Sequence, residues 1–278
     1  MARFTNKDSQ LGFDPGAGGA EPPWQMVPLG GARGIKLHDA KGMDIVIGPD
    51  GGSTAPDGGL IYSETPISAA HREIWLQGRA VGAYSVRAVD GTGVIRGRMA
   101  AAVFSERLVK IAYYFLPGVP RWDTNRLTSL ANDILFLQAN VRLEVVGVWG
   151  NENGESISLP PQIDIEEPAQ RTALWDYGQN WAANLLVYFG WTIKTTRKTR
   201  TNGVSLGNKI LLDGYNRKIT EVRSMAHTLA HEIGHFVSNG NGASHDSRPT
   251  DLMYDTIGRT LGNAIRRDRV WRVIRPAA

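Results

Sequence analysis

The stretch His231-Glu232-Ile233-Gly234-His235 decides how this chain is read. It sits in a run whose apolar residues recur at helical spacing: Val222, Met225, Ala226, Leu229, Ile233, Phe236 and Val237. That periodicity predicts a helix from about Thr220 to Ser238. Thr220 is the cap, Glu221 suits the positive helix start, and Asn239-Gly240-Asn241-Gly242 stops it. His231 and His235 are four residues apart, so they share one face, about 6 Å apart along the axis. Two imidazoles at that spacing can hold one zinc ion. Glu232 is one residue on and points off that face. It is therefore placed to work on water beside the metal and not to ligate it.

A catalytic zinc takes three protein ligands and keeps a fourth position open. No glutamate follows Glu232, which leaves His245 and the aspartates Asp246, Asp251, Asp255 and Asp268 as downstream candidates. His245 is preferred. The turn-forming sequence Phe236–Ser244 lets the chain reverse, and four of the six histidines fall between His227 and His245. His227 shares the helix face, but it would lie about 12 Å from His235, too far for one ion. It reads as a packing or supporting residue.

The composition fits this reading. The chain has 278 residues, 42% hydrophobic and 21% charged, enough for one large or two ordinary globular domains. No apolar stretch is long enough to span a membrane. The first ten residues lack an apolar core, so no secretory signal is expected; any export would use a signal-independent system. With no cysteine, disulfides and thiolate-held zinc are excluded. The net charge of +4 is scattered, and only Lys194–Arg200 forms a basic run, read as a solvated loop. Nucleic acid is not an expected partner.

Three segments differ in grammar. Residues 1–26 are rich in Gly and Pro and read as a flexible arm. Residues 27–107 carry short alternating strands: Ile35–His38, Met43–Ile47, Leu60–Tyr62, Glu73–Gln77, Gly82–Val89 and Val94–Phe104. The last two flank the turn Asp90-Gly91-Thr92-Gly93, a hairpin signal. Together they predict a small all-β sandwich. Residues 108–278 change to strand Val109–Leu116, helix Thr124–Ala139 and strands Val141–Val148, Asn184–Ile193 and Lys209–Leu212. The zinc helix follows, then a last helix from about Leu261 to Ile274. The expected fold class is α+β, with a β sandwich ahead of a zinc-binding domain.

Two resemblances add to this. The run Ile74–Val89 resembles the last strands of a bacterial immunoglobulin-like domain, which implies a β module whose partner is unknown. Residues 108–278 resemble the metzincin zinc peptidases, whose pattern is H-E-x-x-H-x-x-G-x-x-H followed by a methionine turn. His231, Glu232 and His235 match its first three functional positions, and His245 its third ligand. Asp251-Leu252-Met253-Tyr254 is similar to the methionine turn of matrixin-like members. The chain departs from the pattern between the second and third histidines. The family's glycine falls on Ser238 and its third histidine on Asn241, so about four residues are extra here. Where some members place a tyrosine two positions after the methionine, this chain has Asp255. The resemblance implies Zn2+ as cofactor, Glu232 as general base, and a peptide or protein as substrate. Strand Lys209–Leu212 would pair with an extended substrate. Alternatives within this reading are an effector- or toxin-type zinc hydrolase acting on cell-wall peptide or a few proteins, and a non-catalytic zinc-containing binding protein.

Overall fold

The structure is a computed structural model and describes residues 1–7, 12–16, 22–150, 159–160, 162–177, 182–195, 198–214, 222–237 and 252. The chain divides into two units. Residues 1–107 and 136–140 belong to the first, and residues 108–135 and 141–263 to the second.

The first unit is built of β1 Arg3–Asn6, β2 Phe13–Asp14, β3 Trp24–Pro28, β4 Ala32–His38, β5 Met43–Pro49, β6 Leu60–Ser68, β7 His71–Gly78, β8 Gly82–Asp90 and β9 Ile95–Phe104. They form two sheets, ordered β1-β4-β7-β6 and β2-β3-β9-β8-β5. Period-two alternation sends one set of side chains inward. Phe4, Ile35, Leu37, Ile74 and Leu76 from the first sheet share one buried cluster with Val27, Tyr84, Val86, Met99 and Val103 from the second. This is the sandwich that the alternation predicts. The β8–β9 hairpin turns on Asp90, whose carboxylate accepts from the Thr92 N–H and hydroxyl and the Val94 N–H. Gly93 there takes a positive φ of 84°, which a side chain would oppose.

The flexible-arm reading of residues 1–26 is corrected. β1 pairs with β4, and Trp24–Met26 of β3 pairs with Ala100–Ala102 of β9. Ala2, Phe4, Trp24 and Met26 are buried. A few large apolar residues spaced for strands outweigh the surrounding glycine and proline, because each buried one stabilises by about 1.5–3 kcal/mol.

The second unit holds β10 Arg107–Phe115 from residue 108 on, α1 Thr124–Ala139 up to residue 135, β11 Val141–Gly150, β12 Gln162–Asp164, α2 Pro168–Asp176, β13 Leu185–Gly190, β14 Thr192–Thr195, β15 Lys198–Thr201, β16 Gly203–Leu206, β17 Lys209–Asp213 and α3 Val222–Val237. The molecule is thus α+β. Its main sheet has the order β11-β10-β13-β17-β16, with β10, β13 and β17 parallel and β16 antiparallel at one edge. A small sheet joins β12, β14 and β15. Asp123 caps α1 by accepting from the Arg126 N–H. Tyr113 on β10 meets the Thr128 hydroxyl of α1 at 2.9 Å in a buried contact, and burial pushes its phenol well above the ordinary value. The strand register places Gly203 on the same face as Tyr113, and there it meets α3. Both α1 and α3 therefore cover one face of the sheet. On the other face, Trp175 of α2 packs on Tyr188 with ring centres 5.4 Å apart.

Three further expectations are corrected. Asn184–Ile193 is not one strand: after Gly190 the chain leaves the main sheet, and β14 enters the small one. The basic run is not a solvated loop, since Lys194 and Thr195 end β14 and Lys198 opens β15, which pairs with it. Its interleaved threonines favour strands. Lys209–Leu212 cannot add a substrate strand, because β17 is flanked by β13 and β16. The edge is β16. The expected helix Leu261–Ile274 lies outside the described residues. Among those described, no helix is long and apolar enough to cross a membrane.

Candidate metal centre

Helix α3 presents His231, Glu232 and His235 where the sequence places them. Its apolar stripe is fully sunk: Met225, Ala226, Leu229 and Ile233 are 0% exposed. The same burial carries polar side chains inward. His227, His231, Glu232 and His235 are all buried, which polar groups tolerate only with partners.

The two histidines of the motif lie with ring centres 4.9 Å apart and planes at 89°. That separation fits a shared tetrahedral ion. With a metal–nitrogen bond of about 2.0–2.1 Å on each ring, two imidazoles on one zinc have centres roughly 5 Å apart. The Nδ1 of His231 is 2.7 Å from the carbonyl oxygen of Leu252. A carbonyl only accepts, so Nδ1 carries the hydrogen and donates it, which puts the lone pair on Nε2. This is how a ligating histidine is usually held: the far nitrogen is anchored, so the near one is fixed in tautomer and direction. Leu252 is itself 0% exposed, so the carbonyl is held by packing.

Glu232 lies against the edge strand. A Cβ built on Gly203 would stand 2.8 Å from its Oε1, 3.0 Å from its Cγ and 3.1 Å from Cγ2 of Thr228. The carboxylate thus occupies space that only a glycine in β16 leaves open. The Thr201 hydroxyl donates to the Gly203 carbonyl, and the Asp213 N–H to the Asn202 carbonyl, which fixes this part of the strand.

The residues divide as follows. His231, Glu232 and His235 come together on one helix, with His227 a turn earlier on it. His245, the aspartates Asp246, Asp251, Asp255 and Asp268, and Met253 lie outside the described residues. Among the described residues no set of three His, Cys, Asp or Glu side chains stands ready for a metal. The sequence reading missed two features, Gly203 and the Leu252 carbonyl. A strand glycine marks close approach by another group, but Gly203 opens β16, a strand that the sequence does not announce. A backbone carbonyl leaves no mark in a sequence.

No protein-family description matches the chain, and no curated protein sequence matches it. Among solved structures it is similar to an archaemetzincin from Methanopyrus kandleri, at 10% identity and a TM-score of 0.41, covering 59% of this chain and 93% of that one. It is also similar to titin M4, at 13% identity and a TM-score of 0.21, covering 37% of this chain and 94% of that one. A complex of titin M10 with obscurin-like 1 Ig gives 19% identity and a TM-score of 0.21, with coverage of 38% and 95%.

Proposed function

We propose that the chain is a zinc-dependent endopeptidase of metzincin-like type, carried beside an immunoglobulin-like β module that governs partner or location. The observation that carries this reading is the Leu252 carbonyl on Nδ1 of His231, with the His235 ring 4.9 Å away. It supports a His231 ring oriented from behind, with a second imidazole at the spacing that one shared ion takes. His231 and His235 would hold Zn2+, with His245 as the third ligand. When bound, zinc supplies a Lewis acid that acidifies water towards a pKa of about 7 and polarises a peptide carbonyl.

The protein's own groups do the rest. Glu232 takes a proton from the attacking water and passes it to the leaving amine. Its burial and its seat against Gly203 hold the carboxylate at one place beside the edge strand. β16 ends the main sheet on the side of Glu232 among the described residues, and an extended peptide would add there as a further strand.

The test is elemental analysis of the chain purified without chelator. Zinc should be retained in Glu232→Gln and lost from the motif site in His231→Ala and His235→Ala. Absence of zinc both as purified and after reconstitution would overturn the reading.

A further inference from the structure

A second pair of histidines stands in the first unit, far from the motif in sequence. His38 ends β4 and His71 opens β7, and the two face each other directly across the antiparallel ladder. Their ring centres are 5.1 Å apart with planes at 90°. The pair in the zinc motif has 4.9 Å and 89°. The two pairs therefore share one geometry, the roughly 5 Å spacing that two imidazoles take on one tetrahedral ion.

Each ring is also anchored on one nitrogen by a hydroxyl. Thr5 Oγ1 is 2.8 Å from Nε2 of His38, and Ser68 Oγ is 3.0 Å from Nδ1 of His71. With ring hydrogens on those anchored nitrogens, the lone pairs sit on Nδ1 of His38 and Nε2 of His71. That is the arrangement a metal ion selects, with the hydroxyls fixing ring orientation from behind. His38 is half-buried and His71 exposed, so solvent reaches the pair.

The surroundings are mixed in charge. Arg3 and Lys36 stand near His38 and oppose a cation, while Asp39 favours one. With one nearby carboxylate and two imidazoles, the chemistry favours borderline transition metals over calcium or magnesium.

We propose that His38 and His71 form a second metal site, on the β sandwich, which takes Zn2+, Cu2+ or Ni2+ through the two imidazoles with water completing the shell. It is independent of the peptidase reading, since neither histidine lies on the motif helix.

The experiment uses the full chain without an affinity tag, stripped of metal and titrated calorimetrically with Zn2+. The intact chain should bind two ions. His71→Ala and His38→Ala should each bind one. The double variant His231→Ala/His235→Ala should also bind one, and adding His71→Ala to it should abolish binding. If the motif helix holds no zinc, the intact chain binds one ion and His71→Ala none, which separates failure of the peptidase reading from failure of this one. His71 is exposed, so its removal leaves the sandwich core in place; far-UV circular dichroism checks this, and His71→Asn serves as a second variant. Cu2+ added to the His231→Ala/His235→Ala chain should give an electron paramagnetic resonance signal with coupling to two imidazole nitrogens. A metal count and a copper signal both unchanged by His71→Ala and His71→Asn would overturn the site.

Discussion

The Nδ1 atom of His231 donates to the carbonyl oxygen of Leu252 across 2.7 Å, which ties the middle of the motif helix to a residue 21 positions further on. That one contact joins sequence, packing and chemistry. It requires Leu252 to be buried, it fixes the imidazole tautomer, and it points Nε2 away from the protein backbone that holds the ring. Leu252→Ala should therefore do two things at once. Removing a fully buried leucine costs about 2–5 kcal/mol, and loosening the carbonyl should weaken zinc affinity by about 10–100-fold. Thermal unfolding with and without zinc, together with a competition titration, checks both. Zinc affinity unchanged in a folded Leu252→Ala chain would remove the carbonyl from the metal's support.

Gly203 and Glu232 give a sharper test of position. A methyl group at residue 203 would stand 2.8 Å from Oε1 of Glu232, inside any normal contact. Gly203→Ala should push the carboxylate aside and lower kcat of peptide hydrolysis by at least about tenfold, while overpacking costs about 1–3 kcal/mol. Zinc content should hold, because the histidines and not Glu232 are assigned to the metal. Full activity in Gly203→Ala would mean that Glu232 needs no fixed seat.

Asp90 offers a prediction about acid. Hydrogen bonds from the Thr92 hydroxyl, Arg96 and the Val94 N–H hold its carboxyl below the usual carboxylate range. A depressed folded-state pKa contributes stability that is fully present above the unfolded value, about 3.9, and is lost as pH falls through the folded one. Asp90→Ala should thus unfold more readily than the intact chain at pH 7. The difference should shrink below about pH 4. Urea melts at both pH values check this. A gap that stays constant with pH would place the stabilisation elsewhere than in the ionised turn.

Much of the architecture was legible because it is periodic. The alternation of Tyr84, Val86 and Ala88 against Met99, Ala101 and Val103 marks a sandwich hairpin, and Asp90 with Gly93 marks its turn. Helix α1 begins at Thr124 and ends at Ala139, as its leucine spacing requires. Shorter signals were lost. β1 and β3 rest on Phe4 and Trp24–Val27, too few residues to stand out among the glycines and prolines of that segment. α2 is a nine-residue helix whose start is set by Glu167, which accepts from the Ala169 N–H ahead of Pro168; its weak apolar stripe buries only Leu174. In the site, the histidines and Glu232 announce themselves by type and spacing. The Leu252 carbonyl and the space at Gly203 are properties of backbone placement, and no side-chain pattern encodes them. The facing of His38 and His71 is of the same kind, since it follows from strand register across 33 residues of chain.

Glu232→Gln separates proton transfer from metal holding. The substitution keeps the size but replaces one accepting oxygen with a donating NH2 group, and it removes the base. It should leave zinc content and unfolding temperature in place while hydrolysis falls by about 10²–10⁴-fold. Loss of zinc along with activity would instead make Glu232 part of the metal's support.

The most direct measurement is cleavage of an unfolded, casein-like protein by the zinc-reconstituted chain, followed by mass spectrometry of the products. A zinc endopeptidase yields internal fragments that vanish on chelation, return with Zn2+ and are absent with His235→Ala. A zinc-loaded, folded chain that cuts no peptide bond in this substrate or in a panel of short peptides, or one whose cleavage persists undiminished in His235→Ala, would contradict the assignment.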